Sequence, residues 1–136
     1  MSGLQLSLHH MSVRTADIFQ AIRFYELLGF EVQERFTTGM TLACWLAGPG
    51  GRLELIQIPE PKPAPDAFGD EHYVGYYHLS FQVENLNQLL TGLKEQWPLQ
   101  LQVLLEPTEQ LIGEQQYRVA FIADPDGLPI EFLQPL

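Results

Sequence analysis

Polar and apolar residues alternate along residues 4–14, which predicts a strand with Leu6, Leu8, His10, Ser12 and Arg14 on one side. Ser7, His9, Met11 and Val13 take the other side. The period then changes from two to that of a helix. Asp17-Ile18-Phe19-Gln20 resembles a capping box, and Ile18, Ala21, Ile22, Tyr25 and Leu28 fall on one helical face. Gly29 supplies the stop. Three further strands are predicted at Phe30–Thr37, Thr41–Ala47 and Arg52–Ile58, with Gly48-Pro49-Gly50-Gly51 as the turn between the last two.

The same order then restarts. A strand is predicted at Tyr76–Val83, followed by a helix capped by Asn85, with an apolar face of Leu86, Leu89, Leu90 and Leu93 and an end at Trp97-Pro98. Strands follow near Leu99–Leu105, Gln116–Ala123 and Leu128–Gln134, the last two joined by the turn Asp124-Pro125-Asp126-Gly127. Both halves read βαβββ. The class is therefore α+β, a single domain over 1–136, built from module 1 (4–58), a proline-rich linker (59–75) and module 2 (76–136). The alternating prolines of Pro59–Pro65 cannot join a sheet ladder and favour a stiff, extended connector.

The duplication reaches the chemistry. His10-Met11-Ser12-Val13 is echoed by His78-Leu79-Ser80-Phe81, and Leu53-Glu54-Leu55-Ile56-Gln57 by Ile130-Glu131-Phe132-Leu133-Gln134. Each half carries one His early and one Glu late. Apolar neighbours flank every one of these four residues except His10, so in a strand they lie opposite the helix-packed face. A polar face open to water would explain any single one. Ile56, Pro129 and Leu133, however, do not belong to an open charged surface, and a carboxylate drawn into a cavity needs a partner. A divalent ion shared by two imidazoles and two carboxylates satisfies all four groups and leaves little net charge. His10 rather than His9 matches His78 in its distance to the helix cap, and His9 is expected on the helix side. His72, in the polar stretch Gly69-Asp70-Glu71-His72, reads as a loop residue.

Composition excludes several alternatives. A formal net charge of -10 argues against nucleic acid or an anionic membrane surface as partner. No apolar run approaches the ~20 residues of a bilayer span, and Met1–Gln5 lack the basic start and apolar stretch of an export signal. The single cysteine, Cys44, can form no internal disulfide, so a reducing cytoplasm is the expected compartment, and its apolar surroundings make it a buried small hydrophobe. Phosphate loops, nucleophile elbows and zinc-finger cysteines are missing.

His10 to Asp17, Phe24-Tyr25-Glu26-Leu27-Leu28-Gly29-Phe30, His78-Leu79-Ser80-Phe81 and Asp124-Pro125-Asp126-Gly127 with Ile130-Glu131-Phe132 together resemble the vicinal oxygen chelate superfamily (glyoxalase, bleomycin resistance and dioxygenase proteins) over nearly the whole chain. The resemblance implies paired βαβββ modules whose sheets form a partly open, mixed barrel around a metal held by His10, Glu54, His78 and Glu131. Within the superfamily this ligand set is most similar to that of glyoxalase I, lactoylglutathione lyase. It implies isomerisation of an α-oxo hemithioacetal through a metal-stabilised enediolate, with Glu131 as principal base, Glu54 as its partner and Arg14 in substrate binding. It implies one divalent ion (Ni, Co, Zn or Mn), a small-molecule substrate such as a glutathione adduct, and a homodimer. The chain departs from compact bacterial glyoxalases at Ile58, where they carry Asn, and in Glu106–Gln116, where they carry a Gly-rich, Lys-bearing segment. Rival readings are an extradiol-type dioxygenase on His10, His78 and Glu131, an epimerase acting beside a thioester, and a non-enzymatic small-molecule binder.

Overall fold

The computed structural model describes residues 3–136; the reading of Met1 and Ser2 as part of an unexported start lies outside the described residues. The chain divides into two units, Met1–Pro61 and Lys62–Leu136. The first holds β1 (Met11–Thr15), α1 (Ile18–Leu27), β2 (Glu31–Thr38), β3 (Thr41–Gly48) and β4 (Gly51–Gln57). The second holds β5 (Leu79–Gln82), α2 (Leu86–Gln96), β6 (Val103–Ile112), β7 (Gln115–Ala123) and β8 (Pro129–Pro135). Each unit is one helix on one four-stranded mixed sheet, ordered β1-β4-β3-β2 and β5-β8-β7-β6. In both, the first strand runs parallel to the last and the other pairings are antiparallel. The α+β class and the twofold βαβββ order are thus as expected.

Register sorts the side chains. Leu46 pairs with Leu53 and Cys44 with Leu55, all buried, on the face that α1 covers with Ile18, Ala21, Ile22 and Tyr25. Phe24 is buried as well, which makes the helix's apolar face wider than expected. In the second unit Ile122 pairs with Ile130 and Ala120 with Phe132, buried with Leu86, Leu90 and Leu93 of α2. Each fully buried Leu or Ile of this kind stabilises by roughly 1.5–3 kcal/mol. Pairing by twos then forces Trp45 and Glu54, and Phe121 and Glu131, onto the opposite faces.

The helix caps combine expected and unexpected parts. The Asp17 carboxylate accepts from the N–H groups of Phe19 (3.1 Å) and Gln20 (3.2 Å), and the Asn85 side chain from Gln88 (3.0 Å). The reciprocal half of a capping box does not form at Asp17, whose own N–H goes to Thr15 Oγ1 at 3.2 Å rather than to Gln20. A strand residue completes each cap instead. Gln57 accepts from Ile18 N–H at 2.9 Å, and Gln134 from Leu86 N–H at 2.8 Å. Gly29 ends α1 with φ +98°, a backbone that a side chain would strain.

Three strand expectations are corrected. The first strand spans Met11–Thr15 rather than 4–14; in its parallel register, with Met11 beside Leu53, the start of β4 at Gly51 falls beside residue 9, so residues 4–8 have no partner strand to run beside. The strand expected over Tyr76–Val83 is confined to Leu79–Gln82. The strand expected near Leu99–Leu105 starts at Val103 and runs to Ile112, forming a hairpin with β7 that is interrupted by register shifts between Val103 and Thr108.

Candidate metal and proton-transfer site

The early His of each module sits one residue before its short strand, and the late Glu sits within the parallel partner strand. Ser12 lies beside Glu54 in the β1–β4 register, and Ser80 beside Glu131 in the β5–β8 register. The two modules then repeat one arrangement. Ser12 Oγ donates to Glu54 Oε1 at 2.7 Å, and His10 Nε2 lies 3.4 Å from the same oxygen. Ser80 Oγ donates to Glu131 Oε1 at 2.7 Å, and His78 Nε2 lies 3.3 Å from that oxygen. All four His and Glu side chains are partly covered, 13–27% exposed, enough to weaken competition from water while leaving access.

Beyond this shared core the modules differ. Trp45 lies opposite Glu54 on β3 and donates its indole N–H to Glu54 Oε2 at 2.9 Å. Phe121, in the corresponding place opposite Glu131, has no donor. His10 Nδ1 lies 2.8 Å from His9 Nδ1, so one ring donates and the other accepts. His78 Nδ1 is buried without a hydrogen-bond partner among the described residues. Burial pushes the Glu54 carboxyl up, but hydrogen bonds from Trp45 and Ser12, together with His10, outweigh it, and the group lies below its ordinary value. Burial, and then the charge of Glu131, push the Tyr77 phenol up. Burial also pushes up the Cys44 thiol, as suits a buried cysteine that serves packing rather than reaction.

His9 corrects its expected place on the helix side. It is exposed, and its ring stands 4.9 Å from that of Trp45, on the Glu54 side of the sheet. Strand alternation does not apply to it because the strand has not begun at residue 9. His72 is exposed in a loop, its N–H bound to Asp70 at 3.0 Å. Arg14 is exposed on β1, two residues from Ser12 and hence on the same face. Sequence reasoning missed Trp45 as a partner of Glu54. Counting back three residues from the Gly48–Gly51 hairpin closure would have placed it there.

The donor chemistry fits a divalent ion. Two ligands each about 2.1 Å from one ion are separated by roughly 3.0–3.4 Å for angles between a right angle and the tetrahedral one. The N···O separations of both pairs, 3.4 and 3.3 Å, fall at the wide end of that range. Each module holds a pair: among the described residues no group of three or more His, Cys, Asp or Glu side chains able to hold an ion is formed.

A family model of the Glyoxalase/Bleomycin resistance protein/Dioxygenase superfamily matches residues 7–132, and the chain belongs to that superfamily. The chain is similar in structure to a glyoxalase family protein from Bacillus cereus (20% identity, 98% of this chain and 97% of that one, TM-score 0.76). It is similar also to a glyoxalase family protein from Enterococcus faecalis (24%, 93% and 96%, TM-score 0.76). A third similar structure is the trypanothione-dependent glyoxalase I of Leishmania major (24%, 96% and 87%, TM-score 0.70). At these identities the likeness establishes the fold. No curated protein sequence matches the chain.

Proposed function

We propose that this chain is a metal-dependent glyoxalase I-like enzyme that isomerises an α-oxo hemithioacetal, with His10, Glu54, His78 and Glu131 as the ligands of one divalent ion. The observation that carries the reading is the duplicated arrangement of Ser, His and Glu, with matching distances in both modules. A dication bound there supplies Lewis-acid stabilisation to negative charge on two neighbouring substrate oxygens. Nickel, cobalt, zinc and manganese all suit such a set of nitrogen and oxygen donors. Glu131 takes the proton from the carbon that bears sulfur and hydroxyl and, with Glu54 held in place as its partner, returns it to the adjacent former carbonyl carbon, while the hydroxyl proton passes to that carbon's oxygen. The product is a thioester of a 2-hydroxy acid, and no oxidant enters. Ser12 and Ser80 each donate to one carboxylate oxygen and set the resting orientation of its Glu.

Arg14, on the Ser12 face, supplies a cation for an anionic thiol carrier such as glutathione, and the active species is a homodimer. The similar Leishmania protein is described as trypanothione-dependent, so both glutathione and trypanothione hemithioacetals belong in the assay. The test is elemental analysis of the purified protein followed by hemithioacetal isomerisation with each of the four ions. Glu131→Gln lowers turnover by about 10²–10⁴-fold, the usual contribution of a positioned acid–base group, without changing the circular dichroism spectrum. Undiminished turnover in that variant contradicts the assignment.

A further inference from the structure

The two half-sites are built to one plan and then made unequal at one position. Trp45 and Phe121 occupy equivalent places, each directly across an antiparallel pair from its Glu. The Trp45 ring is packed by His9 at 4.9 Å and Phe36 at 5.1 Å, which fixes the direction of its N–H onto Glu54 Oε2. Both oxygens of Glu54 are therefore held, one by Ser12 and one by Trp45. Phe121 is packed as firmly, by Phe68 at 5.1 Å and His78 at 5.0 Å, but it offers carbon alone. Among the described residues, Glu131 receives a hydrogen bond only on Oε1, from Ser80. The imidazoles follow the same division, since His10 has His9 at Nδ1 and His78 Nδ1 has no partner among the described residues. A carboxylate gripped at both oxygens cannot rotate without breaking a hydrogen bond and leaving that group unpaired in a partly covered site.

We propose that Trp45 is a positioning residue that fixes the Glu54 carboxylate, leaving Glu131, which faces Phe121, as the carboxylate free to swing and carry the proton. This rests on the reading that the two pairs serve one ion. It makes module 1 the anchoring half and module 2 the working half. It also gives a structural reason for choosing between two glutamates that the duplication leaves equivalent.

The test exchanges the two rings. Trp45→Phe copies the module 2 arrangement into module 1, and Phe121→Trp offers Glu131 the clamp that Glu54 has. In the metal-free protein, one of the two tryptophan indole N–H resonances is expected to shift in Glu54→Gln and to be missing in Trp45→Phe. Competition with a chromophoric chelator for Zn²⁺ is expected to show affinity about 10–100-fold weaker in Trp45→Phe, the usual effect of removing a partner of a ligand, with an unchanged circular dichroism spectrum. Phe121→Trp is expected to keep its affinity and lose at least tenfold in kcat, with KM unchanged. If wild type binds one ion and Trp45→Phe binds it as tightly, the role of Trp45 is overturned while the metal site stands. An indole resonance that ignores Glu54→Gln overturns that role too. If wild type binds no divalent ion, the functional reading falls, and the role of Trp45 with it.

Discussion

Glu54 shows how much of the site's behaviour is set by single hydrogen bonds. Its carboxyl is drawn below its ordinary value because Trp45, Ser12 and His10 together outweigh the effect of burial. The linkage follows in sign. A carboxyl with a depressed folded-state value stabilises the fold at all pH above its unfolded value, and that contribution is lost as pH falls through the folded value. The metal-free protein should therefore lose stability on acidification below about pH 4.5, and Glu54→Gln should flatten that decline; urea unfolding between pH 3 and 7 measures both. An equally steep acid decline in Glu54→Gln would place the stabilising carboxylates elsewhere. The His and Glu positions were legible in the sequence because the duplication marks them. The role of Trp45 was not, since a tryptophan among Leu42, Ala43, Cys44 and Leu46 reads as core until register turns it to the other face.

Between elements, the clearest link of sheet to helix is the glutamine three residues after each Glu. Gln57 and Gln134 reach from the last strand of a module to the first N–H of its helix, so the strand that bears the Glu also fixes where the helix starts. Gln57→Ala leaves the part-buried Ile18 N–H without its acceptor, at a cost of about 1–3 kcal/mol. The thermal midpoint should fall by several degrees, and a midpoint within one degree of wild type would show that this bond contributes nothing. The glutamines were visible as part of the echoed segments, but their use was not, because an amide has no periodicity to betray its target. Helices and caps were readable from their 3.6-residue period and the Asp17 and Asn85 signals. Strand ends were not. Residues 4–8 alternate well yet outrun β4, and Glu106–Ile112 form part of a mostly exposed hairpin whose shifted register erases alternation. Pairing partners, not local pattern, decided both.

Taken as one polypeptide, the chain is a duplicated module carrying a formal charge of -10, and no helix among the described residues is long and apolar enough to cross a membrane. Membership of the glyoxalase, bleomycin resistance and dioxygenase superfamily accounts for the twofold βαβββ order. It leaves the chemistry to the side chains, because one fold carries many activities. The enzymatic reading stands or falls with the His10–Glu54 and His78–Glu131 pairs serving a single ion. Calorimetric titration of the metal-free protein with Ni²⁺ or Zn²⁺ is the decisive experiment. One tight site per chain is expected, abolished alike by His10→Ala and by His78→Ala. Two independent ions per chain, each lost with only one of the histidines, or no tight binding at all, would refute the shared site.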